Sequence, residues 1–560
     1  MLAESLVRMP RRVMAIGFDS VDLNLLDRFF HQGELPHLRR LRSESFVAPV
    51  KTTVDYAGGS VPYASTEGNW VMFQTGVRPA TSGYWETITF DPHTYRSTND
   101  FTHGGYDFKQ FPPFYALGND YDVATFDVPV SAVVPNLRGE QIVGWGGHFP
   151  YVVRGSQPAE LLKQLTSRHG RNGVLYRDHG VPWNQRYLRW LEQTSIRAIE
   201  QRVRICHELL DRKPRDLFLT VLGETHSALH DLWAASHSDH PLHACWKGDH
   251  DPLLHFFRAV DRAVGELIER AGPEAAFVLF SVHGMQHNAT DLACLFFLSE
   301  LLYRFNFPGR IGFAQGEVGT VPPPPVRGGL HWYWFGEMWR RKFTRVPLLR
   351  HLPAWYRWKL PGGDFRFPFF MSLTGPEAGW LPAMWYRPSW PRSRSFALPA
   401  FADGHVRINL AGREAHGIVK PHEYDDECDK IAAFLSRLRN PRTGSLLVRE
   451  VVRTRKSPLD NDPGLPLCDL LVVWGEEPFD VLDSPDVGRI GPVPYFRTGG
   501  HRAGGFAMIK SPDLSPAEHH ESIDVRDLAP TILDLLGAPI PRHLEGHSLL
   551  AKLCHAEAVS

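Results

Sequence analysis

Short apolar runs without polar alternation recur along this chain, each followed by a helical pattern. Val13-Met-Ala-Ile-Gly-Phe18 is the first, closed by Asp19 and followed by Leu23, Leu25, Leu26, Phe29 and Phe30 at helical spacing. Such a run is expected of a strand buried on both faces, as in a parallel sheet covered by helices. Asp216-Leu-Phe-Leu-Thr-Val-Leu222 and Ala276-Phe-Val-Leu-Phe280 read the same way. Between them, Phe256, Phe257, Val260, Val264, Leu267 and Ile268 mark one face of an amphipathic helix. Leu470-Leu-Val-Val-Trp474 is a fourth expected strand, and Val525 to Leu536 a late helix stopped by Gly537. The alternation predicts an α/β fold, a largely parallel sheet sandwiched by helices.

The stretch from Leu301 to Arg394 breaks this grammar. It holds Pro322-Pro-Pro-Pro325, then Trp332, Trp334, Trp339, Trp355, Trp358, Trp380, Trp385 and Trp390, with a basic run at Arg340-Arg-Lys342. Residues 301–394 are therefore expected to form an inserted aromatic-rich cap over a discontinuous core of 12–300 and 395–550. A membrane-surface patch is the other reading of the same residues.

Composition narrows the function classes. The 560 residues are 43% hydrophobic and 22% charged, enough for a large core and not the signature of pervasive disorder. Lys plus Arg (61) nearly equals Asp plus Glu (62), which leaves no electrostatic footprint for nucleic acid. The six cysteines form no CxxC pair and read as buried or incidental thiols. No stretch approaches the roughly 18–20 apolar residues that span a bilayer. Met1 to Arg12 carries no apolar signal segment. The expectation is a soluble, cytoplasmic protein with no membrane span; no pattern specifies an oligomeric state. The 28 histidines stand out and direct attention to metal sites.

In open α/β sheets ligands bind beyond the carboxyl ends of the strands. Asp19 follows the first expected strand, and Gly223-Glu-Thr-His-Ser-Ala-Leu-His-Asp-Leu-Trp233 the second. Ser281-Val-His-Gly-Met285 follows the third, and Arg497-Thr-Gly-Gly-His-Arg-Ala-Gly-Gly505 lies downstream of the fourth. His226 and His230, at i and i+4, would share one helix face and offer two nitrogens to one zinc ion. His237, His240 and His243 sit in a polar stretch and are expected at the surface. Glu224 is a further acid–base or substrate-contacting candidate, or else a solvated carboxylate at a helix start.

Met14-Ala-Ile-Gly-Phe-Asp19 resembles the opening strand of the alkaline phosphatase superfamily, in which the terminal Asp binds metal. Ser65-Thr-Glu-Gly-Asn-Trp-Val-Met-Phe-Gln-Thr-Gly76 is similar to the nucleophile segment of its type I phosphodiesterase and nucleotide pyrophosphatase branch. That likeness implies Thr66 as nucleophile and Asn69 as a phosphate contact. Arg78-Pro-Ala-Thr-Ser-Gly83, Phe396-Ala-Leu-Pro, Arg407-Ile-Asn-Leu, Gly412-Arg-Glu and Ser522-Ile-Asp-Val-Arg-Asp-Leu-Ala-Pro-Thr531 continue it. A neutral hydroxyl is a poor nucleophile and needs a metal or a base beside it. At a helix start it would also lie near backbone N–H groups suited to an anionic phosphoryl group. The bland alternative makes Thr66 a helix cap and nothing more.

The chain departs from the pattern of three Asp and three His on two zinc ions. By position, the outer site becomes His226, His230 and His501. The inner site keeps Asp19 and His283 beside Thr66, with Val282 where the family has Asp. Three imidazoles suit one zinc with an open position, and two adjacent cations lack anionic ligands to offset their repulsion. One zinc is expected, with two as the alternative. With one, Asp19 is free to orient His283, and His283 to take the proton of Thr66. The resemblance implies a zinc hydrolase cleaving a small-molecule phosphodiester or related ester through Thr66. The departures raise a single-zinc acyl or carbamoyl hydrolase or transferase. A degenerate fold kept for binding is a third reading, opposed by the presence of Thr66, Asn69 and the three histidines.

Overall fold

Alternate residues of the first strand enter different apolar clusters. Val13 and Ala15 join one and Met14, Ile16 and Phe18 the other, all buried. In a computed structural model the described residues are 12–99, 105–146, 154–174, 184–313, 316–319, 322, 334, 338, 381–512 and 514–550. In chain order the main strands are β1 (Val13–Phe18), β2 (Phe46–Lys51), β3 (Val123–Phe126), β4 (Gly139–Val143), β5 (Gly155–Gln157), β6 (Leu217–Leu222) and β7 (Ala276–His287). A second sheet takes β8 (Ser395–Leu398), β9 (Gly404–Ile408), β10 (Val448–Arg453) and β11 (Leu470–Trp474). The chain then returns with β12 (Gly499–Lys510), β13 (Ala517–Glu518) and β14 (Ile523–Asp524).

The ten-stranded sheet runs β13-β2-β12-β7-β1-β6-β3-β4-β5, with β14 also on β2. Strands β7, β1, β6, β3 and β4 are mutually parallel, and β12 and β5 flank them antiparallel. Phe18 is in register with Leu222 and Ser281, so the carboxyl ends of β1 and β6 and the middle of β7 lie on one line. The principal helices are α1 (Leu23–His31), α2 (Thr66–Thr75), α3 (Gln185–Arg212), α4 (Glu224–Ser236), α5 (Pro252–Ala271), α6 (Leu298–Asn306) and α7 (Leu528–Leu536). Helices α1, α3 and α5 bury Phe29, Leu191 and Phe256 on one face of the sheet. Helices α2 and α7 bury Trp70, Phe73 and Ile532 on the other. Side chains of this size contribute roughly 1.5–3 kcal/mol each on burial, so both faces hold the sheet. Helix α7 ends at Gly537, whose φ of +70° is a left-handed stop that glycine adopts without strain.

Two expectations need correction. The fourth strand forms, as β11, but in the second, antiparallel sheet between β9 and β10. An apolar run reports burial on both faces, which β11 also has, but not which sheet provides it. The third strand does not stop at Phe280: β7 runs through the Ser-Val-His-Gly segment to His287, because β12 stays paired with it to Gly499. A β-bulge interrupts this pairing between Ser281 and His283.

Of the stretch 301–394, α6 begins before it, at Leu298. Trp385 and Trp390 are buried, and Trp390 stacks on Phe396 of β8 at 4.5 Å. Trp334 donates its indole N–H to the Pro494 carbonyl at 2.7 Å. Trp332, Trp339, Trp355, Trp358, Trp380 and the Arg340–Lys342 run lie outside the described residues. Among the described residues no helix is long and apolar enough to cross a membrane.

Candidate active site and metal centre

Helix α2 starts at Thr66, and its cap is the residue before. Ser65 Oγ accepts from the Gly68 N–H at 3.2 Å, so the capping role falls to Ser65 and not to Thr66. Gly68 is required by the close approach of Tyr63, whose hydroxyl would lie 2.0 Å from an added Cβ. Thr66 Oγ1 is buried, 3.1 Å from His283 Nε2 and 3.0 Å from His501 Nδ1.

Asp19 ends the first strand, fully buried, and its Oδ1 accepts from the Trp70 indole at 3.1 Å. The same oxygen lies 3.5 Å from His283 Nε2. Ser20 adopts φ +71°, rare for a side-chain-bearing residue, and its Oγ lies 3.0 Å from His283 Nε2. Such a conformation costs roughly 1–3 kcal/mol and persists where surrounding structure enforces it. The bulge in β7 turns His283 to this point, while Val282 is buried in the apolar cluster with Trp70 and Phe280.

Thr225 joins the start of α4 to the end of β1. Its Oγ1 lies 2.6 Å from the Asp19 carbonyl and accepts from the Asp19 N–H at 3.1 Å. The next residue, His226, and then His230 face inward one turn apart, their Nε2 atoms separated by 3.2 Å. His501 arrives on β12 opposite Met285, with Nε2 2.9 Å from His226 Nε2. Asp19, Thr66, His226, His230, His283 and His501 thus meet at the carboxyl edge of the parallel block. Thr66 sits between the Asp19–His283 group and the three histidines.

The three imidazoles fit a zinc ion. His230 Nδ1 donates to the Gly499 carbonyl at 2.7 Å, which leaves Nε2 with a lone pair turned into the cluster. His226 Nε2 faces both neighbouring Nε2 atoms and can donate a proton to only one of them. A cation satisfies all three nitrogens at once, and their ligand atoms lie within 4.8 Å of one another. Arg497 borders the cluster: its Nη1 donates to His230 Nε2 at 2.9 Å, while Asp291 holds Nε and Nη2. A metal held by the three histidines would take that lone pair, and Asp291 would still anchor Arg497.

The Asp19–His283–Thr66 relay expected from the sequence is not the observed geometry. A relay uses opposite ring nitrogens, whereas Asp19, Ser20 and Thr66 all converge on Nε2. Asn69 is buried, with its Nδ2 donating to the Tyr63 carbonyl at 3.0 Å and Oδ1 without a partner among the described residues. A substrate contact from Asn69 would use its second amide hydrogen.

Glu224 is not a solvated helix-start carboxylate. It is fully buried, accepting from Arg202 Nε at 2.9 Å and from Asn172 Nδ2 at 2.7 Å. Arg202 also donates to Asp127 at 2.8 Å, and these two carboxylates raise its pKa against the desolvation that lowers it. The expected surface histidines are likewise corrected. His240 is buried and His237 stacks on Trp233 at 3.7 Å; burial pushes each pKa down to about 3. His243 is partly buried, its Nδ1 donating to the Ala234 carbonyl at 2.9 Å. His237 and His243 pack against the end of α4, and His240 against His287 and Tyr495, distant contacts that a polar local sequence does not reveal. Ser20, Trp70, Thr225, Arg202 and Arg497 were not singled out from sequence. Trp70 alone carried a signal, one helical turn after Thr66 on a face the nucleophile shares.

No family model and no curated protein sequence matches the chain. Solved structures do. A mutant of the alkaline phosphatase PafA is 12% identical, with 97% of this chain and 99% of that chain covered at a TM-score of 0.50. The chain has the alkaline phosphatase fold. Phosphonoacetate hydrolase from Sinorhizobium meliloti 1021 is 13% identical (94% of this chain, 96% of that chain, TM-score 0.46). Murine ectonucleotide pyrophosphatase / phosphodiesterase 5 is 11% identical (95% and 96%, TM-score 0.45). Within the alkaline phosphatase fold of this chain, the converging residues above occupy the carboxyl edge of the sheet, where open α/β sheets bind ligands.

Proposed function

We propose that this protein is a zinc-dependent hydrolase that cleaves a small-molecule phosphodiester or related ester through a covalent Thr66 intermediate. The observation that carries the reading is the position of Thr66 Oγ1, within hydrogen-bond reach of both His283 and His501 at the first turn of α2. In this reading Thr66 Oγ1 attacks the phosphorus, forming an O–P bond as the bond to the leaving oxygen breaks. His283 Nε2 takes the Thr66 proton and passes it to the leaving group. Asp19, at 3.5 Å, stabilises the imidazolium by charge. Water then attacks the threonyl phosphoester: His283 Nε2 takes a proton from that water as the new O–P bond forms, and gives it to Thr66 Oγ1 as the Thr66–phosphorus bond breaks. The positive end of α2 favours the anionic group undergoing attack. His226, His230 and His501 would hold the zinc, whose charge stabilises the developing oxyanion.

A single metal is favoured by the ligand charges. Two divalent ions about 4 Å apart repel by roughly 16 kcal/mol at an effective dielectric constant of about 20. Asp19 is the only carboxylate in the converging group of six. The same observation keeps a second reading in play, acyl or carbamoyl transfer by Thr66 with one zinc. Activity of the zinc-loaded protein on a nitrophenyl phosphodiester and on a nitrophenyl acyl ester separates the two. Phosphodiester cleavage that is absent while acyl-ester cleavage depends on Thr66 would refute the first reading.

A further inference from the structure

Glu192 lies on α3, outside the converging group of six, and only 3% of its side chain is exposed. Among the described residues no Lys or Arg lies within ion-pair distance of it. Two imidazoles do: His250 Nε2 and His255 Nδ1, each 2.6 Å from the same oxygen, Oε1. His250 precedes α5, and His255 stands in its first turn, where Asp251 caps the helix by accepting from Leu253 and Leu254 N–H.

The protons of this cluster do not balance with neutral histidines. His250 Nδ1 faces Asp249 Oδ1 at 2.9 Å, so a carboxylate stands at each ring nitrogen. A neutral imidazole carries one N–H. If it goes to Asp249, a bare nitrogen lone pair faces a carboxylate lone pair at Glu192. Protonation of His250, which the hydrogen bond to Asp249 favours, removes that repulsion; so does a divalent cation that takes both atoms as ligands and supplies the charge a buried carboxylate needs. The arrangement also has the form of a metal-ligating histidine whose far nitrogen is oriented by a second carboxylate. The ligand atoms of Glu192, His250 and His255 lie within 4.8 Å of one another. Two imidazoles and one carboxylate make a zinc-class donor set.

We propose that Glu192, His250 and His255 form a second divalent-metal site of zinc class, which ties the connection between α4 and α5 to α3. Helix α4 carries His226 and His230, so the metal fastens the chain that leaves the candidate cleft. The proposal stands apart from the chemistry assigned to Thr66.

The test uses the full chain carrying His226→Ala and His230→Ala, which removes the cleft ligands, titrated with Zn²⁺ against a chromophoric chelator and with Co²⁺ by visible absorption. About one equivalent should bind, with the cobalt spectrum of a low-symmetry site. Adding His250→Ala and His255→Ala should abolish this binding. These side chains are 43% and 52% exposed, so their loss opens no cavity, and Glu192→Gln added alongside leaves no uncompensated buried charge. Asp249→Asn should weaken binding about tenfold or more. In the unaltered chain, His250→Ala with His255→Ala should lower zinc content by one equivalent. No loss of zinc in that comparison would overturn the proposal, as would binding in the cleft-less protein that survives removal of both histidines. A protein stabilised by acid and indifferent to zinc would also overturn it, leaving an imidazolium–carboxylate clamp in its place.

Discussion

Replacing Arg202 with Met keeps much of the buried side chain's length and removes its charge. Arg202 holds Glu224 through Nε at 2.9 and 3.1 Å and Asp127 through Nη2 at 2.8 Å, with 1% of its side chain exposed. Its guanidinium also lies over Phe126 and Trp145, at 4.9 and 5.3 Å from the ring centres. In the variant, Asp127 keeps the Trp145 and Gly146 N–H groups, both at 2.8 Å. Among the described residues, Glu224 keeps the Asn172 amide, at 2.7 Å, as its side-chain partner. Removing one partner of a buried ion pair costs about 3–5 kcal/mol, and most of that is expected from the stranded Glu224. Adding Glu224→Gln to Arg202→Met should therefore recover about 1–2 kcal/mol, a coupling within the usual range for contacting residues. Urea denaturation of the four proteins of the cycle, with and without a chelator, measures it. A cost below about 1 kcal/mol for Arg202→Met, or no recovery in the double variant, would refute the reasoning. Glu224→Gln alone should leave kcat within about threefold. A hundredfold loss with zinc still bound would return Glu224 to the chemistry.

Thr66→Ala should leave zinc in place and abolish turnover, because the three histidines remain; full activity would point to a water nucleophile. In protein already carrying His250→Ala and His255→Ala, about one zinc per chain should remain, and His230→Ala should release it, as read by chelator titration. Two tightly bound ions in that background would defeat the single-zinc reading. Asp403 offers a pH test: burial pushes its pKa up to about 7, above the usual 3.8. The native state then binds this proton more tightly than the unfolded chain does, so stability falls as pH rises from about 4 to about 7 and is level above that. Asp403→Asn should match the unaltered protein near pH 4 and exceed it in Tm by a margin that grows to pH 7; an equal margin at both ends would contradict the assignment.

Much of the frame was legible because burial on both faces writes itself into a strand as an unbroken apolar run. Val13–Phe18 and Leu217–Leu222 were found this way, and α5 by its helical spacing, since these are local periodicities. The HxxxH spacing likewise determined that His226 and His230 share a helix face. The sequence alone could not say which sheet β11 joins, because an apolar run records burial and not its partner. Nor could it show that β7 continues through His283, which depends on the distant strand β12 keeping its hydrogen bonds. The same holds for charges. Glu224 looks solvated at a helix start until Arg202, twenty-two residues earlier, folds against it. Ser20, Thr225 and Arg497 enter the site, and Asp19 and Thr66 both reach His283 Nε2, only through contacts between segments hundreds of residues apart. Periodicity fixes which face of an element is buried; which groups meet across the cleft is decided by tertiary packing, because those contacts have no local period.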